Sequence, residues 1–383
     1  MYLQRGGADL IQEPKNIVVS EKIKRDGIIS YEVLDGMVDW VRVIDENGII
    51  IYANKSMREA LGNDIVGERC FSVIGKSCAC TRCITNATIN TGEIVEKEEV
   101  IKERIFSVKS SPVKDIDGNI YAAVEVFRDV TNERKLEREI IKKNEKMSKD
   151  LNFARTIQKK ILPKQGVLGL LKIDYLYFPS EMLSGDIFDV NRIDDNLTGI
   201  YISDVVGHGI TASIMTMFIR QAMKSIKYEY LDPSEAISEL HQRFLDLNLD
   251  TDKYFTIFYG IFDKRDNTFE YVNGGHNCIP LHINTKGIDF LEAKGYPITC
   301  LFDSIKYEKK SIKLEKGDKI LFYTDGVIET RNEKGELFGF DRLIDITNIN
   351  RENLLNAIEK NLNEFKYKDI DDDFALVTIE LID

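Results

Sequence analysis

Apolar and polar positions along the chain follow two strand-like rhythms separated by one long helical stretch. The run WVRVIDENGIIIYAN (40–54) sets β-branched and aromatic residues on both sides of Glu46, Asn47 and Gly48, a hairpin whose turn has a glycine free to take positive φ. Short helical pieces follow at SMREALG and in a cysteine-rich stretch. Strand patterns return at EIVEKEEVIKER, RIFSVKSSPVKD and NIYAAVEVFRDV. Two strands, small helices and three more strands predict a half-open sheet with helices on one side. Residues 1–30 carry no clear pattern and read as a tail or short helix.

Between 133 and 164 there is no glycine, Pro163 supplies a stop, and Leu136, Ile140, Met147, Leu151, Ala154, Ile157 and Ile161 recur at steps of three, four and seven. This spacing predicts a linker helix over 133–165 with a narrow apolar seam, suited to a parallel coiled coil and so to a homodimer. A single amphipathic helix packed on a neighbouring domain is the alternative. A helix joining two domains can transmit a change of register or rotation. Beyond Leu170 the pattern turns to consecutive strands, at KIDYLYF, DIFDVNRI, TGIYISDV, FTIFYGIFD, TFEYVNG, KILFYTDG and FALVTIEL. Grouped helices are predicted over 210–227, 233–249 and 351–365. Hairpin strands with grouped helices predict α+β layers, not a doubly wound parallel sheet.

Composition narrows the function classes. The chain has 383 residues, enough for two or three domains, and no apolar run near the roughly 18–20 residues that span a bilayer. The start, MYLQRGGADLIQEPKN, has no export pattern, so the cytoplasm is the expected compartment. A net charge of -12 argues against nucleic acid as a partner. The linker segment is basic by six, so the rest of the chain is more acidic than the total suggests.

Cysteine and histidine are unevenly spread. Cys70, Cys78, Cys80 and Cys83 crowd the first half, whereas His208, His241, His276 and His282 all lie in the second. Histidine-bound haem and a mixed Cys/His zinc site are therefore excluded from the front half. Four close thiolates suit an iron-sulfur cluster or Zn²⁺; a metal-free thiol switch and buried cysteines that act as small hydrophobes stay open.

The second half carries four acidic motifs at strand ends: SGDIFD (184–189), SDVVGHG (203–209), YTDGVIET (323–330) and DDDFALVTIE (371–380). Any one could be a turn former. Four together, without matching cations, point to a site for a hard cation such as Mg²⁺ or Mn²⁺, which prefers oxygen ligands.

In the first half, the order of D-x-x-G-x-I-x-x-x-N hairpin, late D-x-x-G turn and closing F-R-D-V-T-x-x-R strand resembles a PAS sensor domain over 31–132. Cys70, Cys80 and Cys83 are similar to the pattern of cysteine-bearing PAS domains, with Cys78 extra. The second half resembles the SpoIIE/RsbU-type branch of the PPM serine/threonine phosphatases, through SGDIFD, DVVGHG, NGGHNCIP, YTDGVIE, DDFAL and the preceding helix element NFARTIQKKILP. This resemblance implies a PPM-type α/β-sandwich phosphatase domain over 166–383.

It further implies two Mn²⁺ or Mg²⁺ ions held by Asp186, Asp204, the Val205 carbonyl, Asp325 and Asp372. A water between the ions would be the nucleophile, with Asp204 bridging them and Asp189 and Asp373 orienting ligands or waters. The implied activity is a PAS-regulated serine/threonine phosphatase acting on a phosphorylated STAS-domain anti-sigma-factor antagonist in a bacterial partner-switching pathway. His208 either shapes the turn or donates a proton to the leaving oxygen, and His276 is read as ordering a strand end. Gly207 and Gly209 let the chain turn sharply after Asp204.

Three positions depart from the family pattern: Ser184 for Gly, Gly274 for Ala and Ala375 for Thr. Two other functions compete. A sensor kinase fails because the linker helix has no histidine to phosphorylate and the glycine spacing after Asp204 is one residue too long. A catalytically weak redox-sensing scaffold that binds a signalling partner is opposed by the retained acids.

Overall fold

The computed structural model describes residues 29–367 and 372–383, so the tail expected over 1–30 lies almost wholly outside the described residues. The chain divides at Glu145/Lys146 into two compact units. In the first, α1 (Ile29–Asp35) leads into the hairpin of β1 (Trp40–Asp45) and β2 (Ile50–Ala53). Gly48 takes φ 79° in its turn, where a side chain would be strained. Next come α2 (Lys55–Leu61), α3 (Cys70–Val73) and α4 (Ile84–Thr91), then β3 (Val95–Ile101), β4 (Arg104–Lys114) and β5 (Ile120–Asp129). The five strands pair antiparallel in the order β2-β1-β5-β4-β3, as the pattern of two strands, helices and three strands predicts. Trp40 stacks on Phe106 in the core, with ring centroids 4.4 Å apart, beside Ile44, Ile50, Met57 and Phe127.

Helix α5 (Thr131–Ile161) runs 31 residues, consistent with the lack of glycine and the stop at Pro163. Its apolar seam divides. Leu136, Ile140, Met147 and Ile157 are exposed, whereas Leu151, Ala154 and Ile161 are partly covered and Gln158 is buried. The last turns thus pack on their own domain, and the earlier ones present an apolar stripe.

The second unit contains two six-stranded antiparallel sheets. One orders β15 (Lys310–Lys313), β11 (Thr268–Gly274), β10 (Tyr254–Asp263), β9 (Leu197–Val205) and β8 (Asp186–Arg192), with β14 (Ile298–Thr299) beside β10. The other orders β13 (Gly287–Phe290), β12 (Leu281–Asn284), β16 (Lys319–Tyr323), β17 (Phe374–Leu381), β7 (Leu171–Phe178) and β6 (Gly166–Leu168). Helices α6 (Gly209–Glu229) and α7 (Pro233–Leu245) cover the first sheet. Helices α8 (Asp325–Glu329), α9 (Gly339–Ile349) and α10 (Leu354–Phe365) belong to the second.

The period-2 alternation of strands decides which side chains meet. On β10, Phe255, Ile257, Tyr259 and Ile261 join the helix-side core, while Phe258 and Phe262 fill the core between sheets. On β17, Ala375, Val377 and Ile379 enter the inter-sheet core, and Phe374 and Leu376 meet the other helix layer. The result is helix, sheet, sheet, helix: the α+β layering predicted from the sequence. Short elements outside the predicted set are β6, β12 to β15 and helices α8 and α9.

Candidate active site

Strand pairing brings two of the predicted acids face to face. Asp186 opens β8 and Asp204 lies near the end of β9, and the antiparallel register sets them directly opposite. Both fall on the parity that faces the second sheet, alongside Phe188, Val190, Ile200 and Ile202. Asp186 is 2% exposed. Like charges opposite each other on a sheet repel, and burial adds to the cost. Accordingly, burial and then Asp204 drive the Asp186 carboxyl well above its usual range. Burial, Asp325, Asp372, Asp373 and Glu329 push Asp204 up to about 7.

The second sheet contributes its acids from the same end. Asp325 follows Thr324 after the end of β16, and Asp372 precedes β17. Thr324 is fully buried and ties the sheets together: its hydroxyl donates to Asp186 Oδ2 (2.7 Å) and accepts from the Ala375 N–H (2.8 Å). His276 makes a second tie. Its Nε2 faces the Tyr323 carbonyl at 3.0 Å, which can only accept, so Nε2 carries the proton and Nδ1 accepts from the Thr256 hydroxyl at 3.2 Å. Thr256 is the cross-strand partner of Asp204. Burial holds His276 down at about 4, so it is neutral at pH 7 and orders a strand end, as its sequence context suggests.

The turn that carries Asp186 is fixed atom by atom. Asp373 accepts from the Ser180 N–H (2.7 Å) and the Gly185 N–H (2.6 Å). The Gly185 carbonyl accepts from the Val205 N–H at 3.2 Å. A Cβ on Gly185 would stand 3.2 Å from the Val205 carbonyl oxygen and 3.1 Å from that of Gly207, so glycine keeps this wall open. Gly207 and Gly209 take φ 87° and 74°, the sharp turn expected after Asp204.

Other expectations from the motifs change here. Asp189 does not orient groups at the site: three residues from Asp186, it projects to the opposite face of β8, where Arg220 Nε lies 3.7 Å away. His208 stands at the N-cap of α6 but makes no capping bond; its side chain is 72% exposed, with Nδ1 3.0 Å from Glu181 Oε1. Ser184 compensates for the glycine it replaces, because its hydroxyl accepts from the Asp186 N–H at 3.0 Å. Gly274 suits this packing, since a Cβ there would meet Ile257 Cγ2 at 2.8 Å. Thr324 and Glu329 fall within the YTDGVIE motif and Gln158 within NFARTIQKKILP, though the motifs do not say what these side chains hold; Glu181 falls in none of the motifs.

Among the described residues, no group of three or more His, Cys, Asp or Glu is drawn tightly enough around one point to hold an ion. For the acids, this is what mutual repulsion dictates. Their donor set still fits a hard cation. It is all oxygen, and none of Asp186, Asp204, Asp325 and Asp372 is in an ion pair with Lys or Arg among the described residues.

The cysteines are a different case, and the expected iron-sulfur or Zn²⁺ centre at Cys70, Cys78, Cys80 and Cys83 is not supported. Cys78 is exposed. The other three line a cavity of about 20 Å³ together with Arg42, Lys97, Glu99 and Glu125. Cys80 Sγ lies 3.5 Å from Lys76 Nζ and 3.7 Å from Lys97 Nζ, so its recorded neighbours are ammonium groups. Arg42, paired with Glu125 at 2.8 Å, also holds the Cys70 carbonyl.

Comparisons with known proteins agree with this architecture. Residues 194–382 match the family described as Stage II sporulation protein E (SpoIIE), and residues 34–135 match the PAS fold. Phosphoserine phosphatase RsbP of Bacillus subtilis (strain 168) is 28% identical over 240 residues, 61% of this chain and 58% of the relative. Phosphoserine phosphatase RsbU of the same organism is 29% identical over 222 residues, 57% of this chain and 62% of the relative. The chain thus spans about three fifths of the length of the curated relatives it matches. Among solved structures, the SiaA-PP2C domain of Pseudomonas aeruginosa aligns with a TM-score of 0.54 at 21% identity, covering 63% of this chain and 98% of that domain. The two share a fold.

Proposed function

We propose, for a chain that carries a PAS-fold domain followed by a SpoIIE-family phosphatase-type domain, that it is a metal-dependent protein serine/threonine phosphatase under the control of its PAS domain. The observation that carries this reading is the cross-strand pair Asp186 and Asp204, desolvated and without a basic partner, at the end of the sandwich where Asp325 and Asp372 also lie. Asp186, Asp204, the Val205 carbonyl, Asp325 and Asp372 would hold Mn²⁺ or Mg²⁺. When bound, such ions acidify water and stabilise charge on phosphoryl oxygens.

The chain's own groups do the rest. Thr324 and the Ser184 hydroxyl fix Asp186 through its carboxylate and its N–H. His208, whose Nδ1 lies 3.0 Å from Glu181 Oε1, is the candidate to protonate a leaving seryl oxygen. We infer a phosphoserine protein as substrate, supported by the similarity to the phosphoserine phosphatases RsbP and RsbU. A phosphorylated STAS-domain antagonist in sigma-factor control is the specific expectation.

The exposed stripe of Leu136, Ile140 and Met147 on α5 supports assembly of a homodimer through this helix. No described helix is long and apolar enough to cross a membrane. Phosphate release from a serine-phosphorylated STAS protein, with Mn²⁺ and with EDTA, tests the function. Absent release would favour a non-catalytic scaffold, and release that persists unchanged in EDTA would remove the metal dependence.

A further inference from the structure

One side chain on α5 reaches the backbone of the turn that carries Asp186. Gln158 is 2% exposed, although most of its neighbours on the helix are in solvent. Its Oε1 accepts from the Ser184 N–H at 3.0 Å, and its Nε2 donates to the Ser184 carbonyl at 2.7 Å, with Thr216 Oγ1 at 3.4 Å. Both backbone groups of one residue are thus held by one amide. Only a side-chain amide offers a donor and an acceptor in this spacing without charge. Ser184 is fully buried, and its hydroxyl accepts from the Asp186 N–H.

The turn's other backbone groups are held from inside the sandwich: the Gly185 N–H by Asp373 and the Gly185 carbonyl by the Val205 N–H. Among the described residues, Gln158 supplies the tie that comes from the linker helix. The end of α5 is bonded a second time, where Arg220 Nε donates to the Ile161 carbonyl at 3.2 Å. Arg220 belongs to α6, the helix that follows the Asp204 turn.

We propose that Gln158 is a positioning residue for Asp186: the last turns of α5 are part of the phosphatase site, and this amide sets the turn on which metal affinity and turnover depend. The proposal rests on the reading of Asp186 as a metal ligand. A carboxylate must be placed to within about 0.5 Å to serve as one, and a buried bidentate amide gives that precision. Removing it leaves the Ser184 N–H and carbonyl buried without partners, so the turn relaxes.

The test compares the full chain with Gln158→Met, which fills the space without hydrogen bonds, and with Asp204→Asn. Three readouts are taken at a temperature where circular dichroism shows each protein folded. These are amide hydrogen exchange at Gly185 and Asp186 without added metal, Mn²⁺ affinity by calorimetry, and kcat and KM for p-nitrophenyl phosphate. For Gln158→Met, the expected results are faster exchange at both amides, Mn²⁺ affinity weakened roughly tenfold and kcat lowered roughly tenfold, with KM within about twofold. A purely structural role would lower the thermal midpoint and leave the Mn²⁺ affinity of the folded protein unchanged. Unchanged exchange and Mn²⁺ affinity would overturn the proposal.

If Gln158→Met does not fold, Gln158→Glu, which keeps the acceptor for the Ser184 N–H, is expected to show the same shifts at smaller size, and their absence there would overturn the proposal equally. An Asp204→Asn variant as active as the parent would instead overturn the phosphatase-site reading, leaving the exchange result to judge the Gln158 clamp alone.

Discussion

Two aspartates opposed across neighbouring strands, facing a sandwich core, are costly to keep in a folded chain. Their charge state gives a pH signature. Asp204 sits at about 7 in the fold, raised by burial and then by Asp325, Asp372, Asp373 and Glu329, against an ordinary value of 3.8. A carboxyl raised by folding stabilises the fold fully below the ordinary value, and that contribution is lost as pH climbs through the folded value. Protein stripped of metal with EDTA is therefore predicted to melt at progressively lower temperature from about pH 4 to pH 7. Mn²⁺ should restore the midpoint most at the alkaline end, and Asp204→Asn should flatten the slope. A midpoint that rises with pH in the stripped parent, relative to Asp204→Asn, would count against the acid cluster.

His208 gives a second prediction at this scale. A general acid matters in proportion to how poor the leaving group is. His208→Ala should slow hydrolysis of a phosphoseryl protein by roughly 100-fold and of p-nitrophenyl phosphate by less than about fivefold; equal losses on both substrates would remove the proton-donor role. The sequence motifs point to the acids, because carboxylates at strand ends carry a local pattern. They contain Thr324 and Gln158 but not what these side chains hold, and they omit Glu181, because these roles come from contacts between segments far apart in the chain. Asp189 misleads for a related reason. Its spacing from Asp186 within SGDIFD is odd, so the two side chains leave the strand on opposite faces.

Elements long enough to show a period are readable directly. TFEYVNG and FALVTIEL are the observed strands β11 and β17, residue for residue. The helix predicted over 351–365 begins later, at Leu354. Strands β12 and β13, four residues each, give too little periodicity to separate them from loop; helix α9, eleven residues with Phe340, Leu343, Ile346 and Ile349, carries a helical spacing and is within reach of the sequence. Helix α5 is the instructive element: one seam in sequence serves two purposes, with Leu151, Ala154, Gln158 and Ile161 turned toward their own domain and Leu136, Ile140 and Met147 left exposed. Leu136→Glu combined with Ile140→Glu is predicted to convert a dimer to a monomer in sedimentation equilibrium. A monomeric parent at micromolar concentration would remove the dimer assignment.

For the whole molecule, the uneven use of cysteine and histidine translates into two domains with different chemistry. The first sets the Cys80 thiol beside Lys76 and Lys97, with the Cys70 backbone held by the buried Arg42–Glu125 pair. The second gathers oxygen donors at one end of a four-layer sandwich. Cysteine density alone cannot reveal the lysines around Cys80, because Lys97 comes from β3, a strand well beyond the cysteine run.

The claim that joins the two halves is metal-dependent phosphoester hydrolysis at the acid site. Its most direct test is hydrolysis of p-nitrophenyl phosphate by the full chain across a Mn²⁺ titration, beside Asp204→Asn. Activity should rise saturably with Mn²⁺, vanish in EDTA and fall by ~100-fold or more in the variant; equal rates for parent and Asp204→Asn at every Mn²⁺ concentration would contradict metal-dependent hydrolysis at this site.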